Sequence, residues 1–206
     1  MGDILRTDRS RGNFFMQELK NRIVKEGRVL PGNIIKVDGF LNHRIDTQLM
    51  SHIAEEFGRH FNMDDVSIIL TAEASGIALA AIVAQHYNKP MIFAKKAKSD
   101  NIEGGLYQSE IHSYTYKKKV TLLVAKDWLH TEDRVLIVDD FMANGEAMRG
   151  LCDIVEKAGA TLVGIGCAVE KGFQGGGDRL RAAGYNLKSL AIIESAEPGN
   201  IVFRED

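Results

Sequence analysis

Two adjacent carboxylates, Asp139 and Asp140, close the apolar run Val135-Leu136-Ile137-Val138. A loop of small residues follows, Ala143-Asn144-Gly145, and a helical pattern opens at Glu146-Ala147. The order of these pieces defines a chemistry. Carboxylates accept hydrogen bonds from the two neighbouring hydroxyls of a ribose. Unpaired N–H groups at a helix start hold a phosphate. A ribose 5-phosphate carries both groups and satisfies both ends of the segment. The plainer alternative is an ordinary strand-to-helix turn, since such units often end in Asp and Asn-Gly is a common turn. No Gly-Lys-Ser/Thr follows the small residues, so the segment is not a nucleoside-triphosphate P-loop, and it lacks the three-glycine dinucleotide spacing.

The elements that must position these groups follow from length and patterning. A chain of 206 residues suits one domain and can bury roughly 70% of its unfolded surface without disulfides or metals. Apolar residues are 45% and charged residues 26% of the chain, with a net charge of −2, so no overall field recruits nucleic acid. Cys152 and Cys167 fall inside a helical and a strand pattern and read as buried, reduced thiols. The histidines, His43, His52, His60, His86, His112 and His130, form no metal spacing. No run approaches the ~20 apolar residues of a membrane span, and the N-terminus lacks the apolar centre of a secretory signal. A cytoplasmic location is expected. Residues 1–15, with Arg6, Arg9 and Arg11 and no apolar period, read as a flexible extension.

Met16 to Gly27 reads as a helix with Leu19 and Ile23 on one face and Gly27 at its C-terminal cap. Asp46 is positioned to cap a second helix striped by Leu49, Ile53, Phe57 and Phe61. Strands are expected at Val66–Thr71 and Pro90–Phe93 around an Ala-rich helix from Gly76 to Tyr87. Strand-helix alternation resumes at Val135, Gly145, Leu162, Asp178 and Leu187. This rhythm predicts an α/β fold, a parallel sheet covered by helices on both faces, with ligands at the carboxyl ends of the strands. Residues 100–127 break it. Tyr107–Tyr116 and Thr121–Val124 suggest an antiparallel hairpin protruding from the sheet, hinged at Gly104-Gly105, with Trp128 anchoring its base.

The strand-Asp-Asp-loop segment resembles the phosphoribosyl-diphosphate motif of the type I phosphoribosyltransferases. The stretches Lys36-Val37-Asp38-Gly39-Phe40-Leu41-Asn42-His43, Phe93-Ala94-Lys95-Lys96-Ala97-Lys98-Ser99 and Val169-Glu170-Lys171-Gly172-Phe173-Gln174 are similar to those of its bacterial xanthine branch. The similarity runs from about Met16 to the C-terminus. It implies a type I phosphoribosyltransferase fold: a mostly parallel central sheet flanked by helices, in one domain over residues 16–206. A small hood is expected from about residues 28–45 plus the C-terminal segment, and a flexible β-hairpin lid over about 100–127. The implied reaction joins xanthine to 5-phosphoribosyl 1-diphosphate, giving xanthosine 5-monophosphate and diphosphate in purine salvage.

On that resemblance Asp139 and Asp140 are the catalytic carboxylates, and Ala143, Asn144, Gly145, Glu146 and Ala147 hold the 5-phosphate. Glu146 should point outward, because its carboxylate would repel the phosphate. Thr71-Ala72-Glu73-Ala74-Ser75-Gly76 follows a strand and opens a helix, a second anion loop by position. Glu73, Ala74, Ser75 and Gly76 would then bind diphosphate, helped by Lys95, Lys96 and Lys98. A capped turn and a solvated lysine face are the structural alternatives. Mg2+ is expected through ligand oxygens and waters, with no protein cage. Ile35, Asn42, Lys171 and Phe173 would contact the base. An ammonium at Lys171 donates and cannot accept, which suits a 6-oxo oxygen and disfavours a 6-amino group. Phe173 either stacks on the purine or packs in the core. A homodimer is expected, with no nucleic-acid or membrane partner. Competing readings are a guanine/hypoxanthine enzyme with the same chemistry, and a non-catalytic regulator that senses the ligand and binds DNA.

Overall fold

The computed structural model describes residues 9–96, 105–113 and 118–205. Expectations that fall on Arg6, Lys98, Gly104 and the Tyr114–Tyr116 stretch lie outside them. Helix α1 (Arg9–Glu26) opens seven residues before the expected Met16, because a helix nucleated by packing propagates through neighbours that need no apolar period of their own. Leu19 and Ile23 are fully buried, and Gly27 N–H returns to Ile23 O at 2.9 Å. Strands β1 (Arg28–Leu30) and β2 (Ile34–Lys36) form a small antiparallel hairpin that patterning does not reveal. Its turn uses two positive-φ residues, Gly32 and Asn33. A single π-helical turn, Asp38–Asn42, leads to α2 (Thr47–His60). Asp46 caps α2 as expected, accepting from Leu49 N–H at 3.1 Å.

The central sheet collects β3 (Ile68–Ala72), β4 (Met91–Ala94), β7 (Arg134–Met142), β8 (Thr161–Lys171), β9 (Leu187–Glu197) and β10 (Asn200–Phe203). Its order is β10-β9-β8-β7-β3-β4, parallel except for the edge strand β10. Helices α3 (Gly76–His86), α4 (Glu146–Ala158) and α5 (Gly176–Ala182) connect the strands, and β5 (Leu106–Ser113) with β6 (Lys118–Ala125) makes the expected hairpin. The apolar run of β7 is buried on both faces. Leu136 and Val138 join a core with Phe40, Phe57 and Leu79, while Val135 and Ile137 join one with Leu122, Met148 and Leu151. A strand covered on both sides reads as a continuous apolar run, which is why the motif begins as it does.

The winding direction reverses between β3 and β7. From β3 the chain crosses to β4 on one side; from β7 it crosses to β8 and β9 on the other. The two strands pair only from Ile68↔Val135 to Leu70↔Ile137. Beyond Ile137, β7 pairs with β8 alone and β3 with β4 alone. The sheet therefore splits where Asp139 begins, the topological switch point at which open α/β sheets bind ligands.

One expectation is refined and one corrected. The β5–β6 hairpin stands as a sheet of its own, and one of its faces docks on α4. Ile111, Leu122, Leu123 and Val124 are buried, and a Cβ on Gly150 of α4 would meet Ile111 at 2.5 Å and Leu122 at 3.0 Å. Lys95 and Leu123 exchange backbone hydrogen bonds of 2.9 and 2.8 Å, joining the hairpin to the exit of β4. The alternating Val120, Leu122 and Val124 supply the apolar face that drives this docking. Trp128 does not anchor the hairpin base as a buried ring: it is 66% exposed, and the next residue, Leu129, fills the buried position.

Candidate functional site

Strand β7 continues two residues past the acids, to Met142, so Asp139 and Asp140 lie within the strand and not at its tip. Both are buried, at 7% and 1% exposure. The loop after β3 lies over them: Ser75 Oγ donates to Asp140 Oδ1 at 2.8 Å, and Asp140 N–H donates to Asp139 Oδ1 at 3.0 Å. A Cβ on Gly76 would run into Thr71 Oγ1 and the Asp139 carboxylate, so α3 begins here because Gly76 has no side chain. Burial, and then the neighbouring charge of Asp140, hold the Asp139 carboxyl well above the usual range.

Asp140 Oδ2, Thr71 Oγ1 and Gln174 Oε1 are buried with no hydrogen-bond partner. They stand at or just past the carboxyl ends of β7, β3 and β8, the strands around the switch point. A buried acceptor left unpaired costs about 1–3 kcal/mol. Two of them, Asp140 Oδ2 and Thr71 Oγ1, sit on the strands that flank the switch point, where a polar ligand can pair them.

Next to the acids, Gly145 caps α4 in the left-handed region, at φ 79°. Asn144 Oδ1 accepts from Glu146 N–H at 3.3 Å, while the N–H groups of Ala147 and Met148 have no intrahelical carbonyl to reach. Glu146 points away from the loop, as its charge requires: its carboxylate accepts from Arg149 at 2.7 Å and from His112 N–H at 3.3 Å. The Arg149 contact lowers its pKa. On the β3 side, the Glu73 carboxylate accepts from Lys96 N–H, and Glu73 N–H reaches Ala94 O at 3.0 Å. Glu73 thus ties its loop to the exit of β4, and the Glu73–Ala74 peptide bond is cis. Lys96 is exposed, and its charge acts on Asp139. Lys95 is held by its backbone bridge to Leu123.

Lys171 ends β8, and its Nζ lies 5.4 Å from the Phe141 ring centroid and donates to Asn33 O at 3.2 Å. Burial lowers its pKa. Ile35 is buried in the core beneath the hairpin, Asn42 ends the π-helical turn at intermediate exposure, and Phe141 and Phe173 both pack on the same core face. The structure thus brings the β1–β2 turn to Lys171. Sequence reasoning placed Thr71 in the loop after β3 without giving it a role of its own, and overlooked Asn33 and the part Phe141 plays beside Lys171. Strand alternation gives no signal for Phe141: past the acids the faces exchange, so that Phe141 packs with Leu136 and Val138 while Met142 packs with Val135 and Ile137.

The sequence matches the phosphoribosyl transferase domain family over residues 37–181, a span that holds the loops after β3 and β7, the acids and Lys171. The chain belongs to the phosphoribosyltransferase family. Among similar phosphoribosyltransferases is the xanthine phosphoribosyltransferase of Bifidobacterium longum, 53% identical over 192 residues, covering 92% of this chain and 100% of the relative. That of Lachnoclostridium phytofermentans is 52% identical over 193 residues, covering 93% and 100%. The fold is that of solved phosphoribosyltransferases. The adenine phosphoribosyltransferase of Saccharomyces cerevisiae, crystallised with adenine and an imino-altritol bisphosphate, superposes with a TM-score of 0.72 at 19% identity, covering 86% of this chain and 99% of that one. Among the described residues no helix is long and apolar enough to cross a membrane.

Proposed function

We propose that this phosphoribosyltransferase joins xanthine to C1 of 5-phosphoribosyl 1-diphosphate, forming xanthosine 5-monophosphate and releasing diphosphate, as the names of its relatives suggest. The observation that carries the reading is the set of unpartnered buried polar atoms at the switch point, flanked by the capped loop at Gly145 and by Lys171. Ribose hydroxyls bring O–H donors to acceptors that lack one. The amides of Ala143–Ala147 suit the 5-phosphate, with about 1 kcal/mol of anion preference from the helix dipole. The Thr71–Gly76 loop and the lysines after β4 suit the diphosphate.

Displacement at C1 passes through an oxocarbenium-like state, which needs charge stabilisation and exclusion of water more than a nucleophile. The buried carboxylates of Asp139 and Asp140 favour positive charge on the ring. At the base, Lys171 has donors and no acceptor, matching an oxo oxygen; facing the amino group of adenine would cost several kcal/mol, on the order of a thousandfold. The ring of Phe141, already beneath the ammonium, offers the base an aromatic face.

Mg2+ fits this donor set. Among the described residues no three His, Cys, Asp or Glu side chains are grouped to hold a metal, while Asp140 Oδ2 offers a free hard oxygen. A small divalent cation that keeps waters and substrate oxygens needs no more. When bound it would neutralise the departing diphosphate. We read the working form as a homodimer, supported by the exposed apolar Val24, Leu30 and Ile34, at 60%, 39% and 51% exposure, and its compartment as the cytoplasm. The test supplies phosphoribosyl diphosphate and Mg2+ with xanthine, guanine, hypoxanthine or adenine in turn. Highest kcat/KM for xanthine is expected. Preference for guanine or hypoxanthine would transfer the function to the neighbouring branch, and DNA retention without turnover would make the protein a regulator.

A further inference from the structure

A seam of three glycines joins the loop after β7 to the loop after β8. Gly176 packs against the phosphate loop so closely that a Cβ there would meet Ala143 O and come within 2.6 Å of Gly145 N. In return, a Cβ on Gly145 would lie 3.3 Å from Gly176 Cα. Gly175, in the left-handed region at φ 68°, lies beneath a guanidinium, with Arg179 Nη1 3.1 Å from the place its Cβ would take. A Cβ on Gly177 would run into the Glu170 carboxylate. That carboxylate is fully buried and held by Arg181 through bonds of 3.1 and 2.7 Å. Across the top of the seam, Arg179 Nη2 donates to Asn144 O at 3.1 Å and to Gln174 O at 3.4 Å. One carbonyl belongs to the phosphate loop and the other to the turn that follows Lys171.

We propose that Arg179 is a positioning residue that clasps these two loops into one rigid unit. It fixes the distance between the phosphate-binding amides and the base-contacting ammonium without touching either substrate. The consequence rests on the function proposed above: a nucleotide gains from having its two ends held at the right separation, so the clasp contributes preorganisation, not contacts. These carbonyls take its side-chain hydrogen bonds, while its N–H bonds Gly175 O at 3.2 Å as part of α5 and is untouched by a side-chain substitution. A charge-assisted hydrogen bond at an exposed position is worth a factor of about three to ten.

Amide hydrogen exchange and ligand binding together test the clasp. In Arg179→Ala, exchange at Asn144–Gly145 and at Gly172–Gly175 should both quicken, by about three- to tenfold. Arg179→Lys, which retains one donor centre, should recover part of the protection. In Arg179→Ala, xanthosine 5-monophosphate should lose affinity while ribose 5-phosphate and xanthine, measured separately, keep theirs within twofold. Gly176→Ala, which pushes a methyl group into the phosphate loop, should lower nucleotide affinity by the same route with Arg179 intact. Unchanged exchange at Asn144–Gly145 in Arg179→Ala overturns the clasp. So does an equal loss for nucleotide and fragments, which would mean direct contact. Failure of the wild-type protein to bind the xanthine nucleotide would sink the proposed function instead, and the exchange result would still decide the clasp.

Discussion

Replacing Lys171 by Met separates recognition of the base from everything else at the site. The thioether keeps most of the stem's packing and removes the ammonium. Lys171 has three N–H groups; one is spent on Asn33 O at 3.2 Å, leaving two for a ligand. Losing one charge-assisted bond to an oxo oxygen costs about 1.5–3 kcal/mol, or roughly 10- to 150-fold in affinity. The fold should not suffer. The carbonyl of Asn33 sits at an exposed bond and can take water instead. Burial already lowers the Lys171 pKa, so the native state disfavours the charge. A lysine depressed on folding binds fewer protons native than unfolded in the window between its folded pKa and the ordinary 10.5, so stability rises with pH there and the full penalty applies below it. At pH 7 the Met variant escapes that penalty, and its Tm should equal or exceed the wild type's. Steady-state kinetics with each substrate varied in turn is the assay. Xanthine kcat/KM should fall about 10- to 150-fold, while KM for phosphoribosyl diphosphate stays within twofold. Parallel losses for both substrates, or an unchanged xanthine efficiency, would refute the assignment.

Asp140→Asn should abolish nearly all turnover yet leave the thermal midpoint unchanged or higher, since one oxygen of this carboxylate is buried without a partner; an active variant would remove it from the mechanism. Asp139→Asn should stabilise the protein increasingly as pH rises. The wild-type carboxyl is raised above 3.8 on folding, so the native state binds more protons and loses stability from about pH 4 up through the raised pKa; a Tm difference constant between pH 4 and 8 would contradict this. Arg181→Met strands the fully buried Glu170 and should cost about 3–5 kcal/mol, with the Glu170→Gln, Arg181→Met pair recovering much of it in urea unfolding. Gly145→Ala places a side chain at φ 79° and 3.3 Å from Gly176. It should lose about 1–2 kcal/mol of stability and raise KM for phosphoribosyl diphosphate, and a KM effect on xanthine alone would argue against this loop as the phosphate site.

The sheet was legible because its strands are buried on both faces and carry that fact locally, as the run Val135–Val138 does; so was the Asp46 cap, whose partner Leu49 is only three residues away. The chemistry of Asp139-Asp140 and the loop at Gly145 was legible for the same reason, since acid, small residue and helix start are neighbours in the chain. Strands β1, β2 and β10 were not. They are three or four residues long and half exposed, too short for a period to show, and pairing across the chain makes them. Sequence also misjudged Trp128 and did not say where the hairpin docks, because an aromatic side chain or an apolar face does not say what it will meet; Leu129 and α4 decided that. Tertiary structure alone set the burial of the two acids beneath Ser75, the approach of Asn33 and Phe141 to Lys171, and the glycine seam under Arg179. Each of those joins residues 30 or more positions apart, and such distances close only when the sheet winds both ways from its centre.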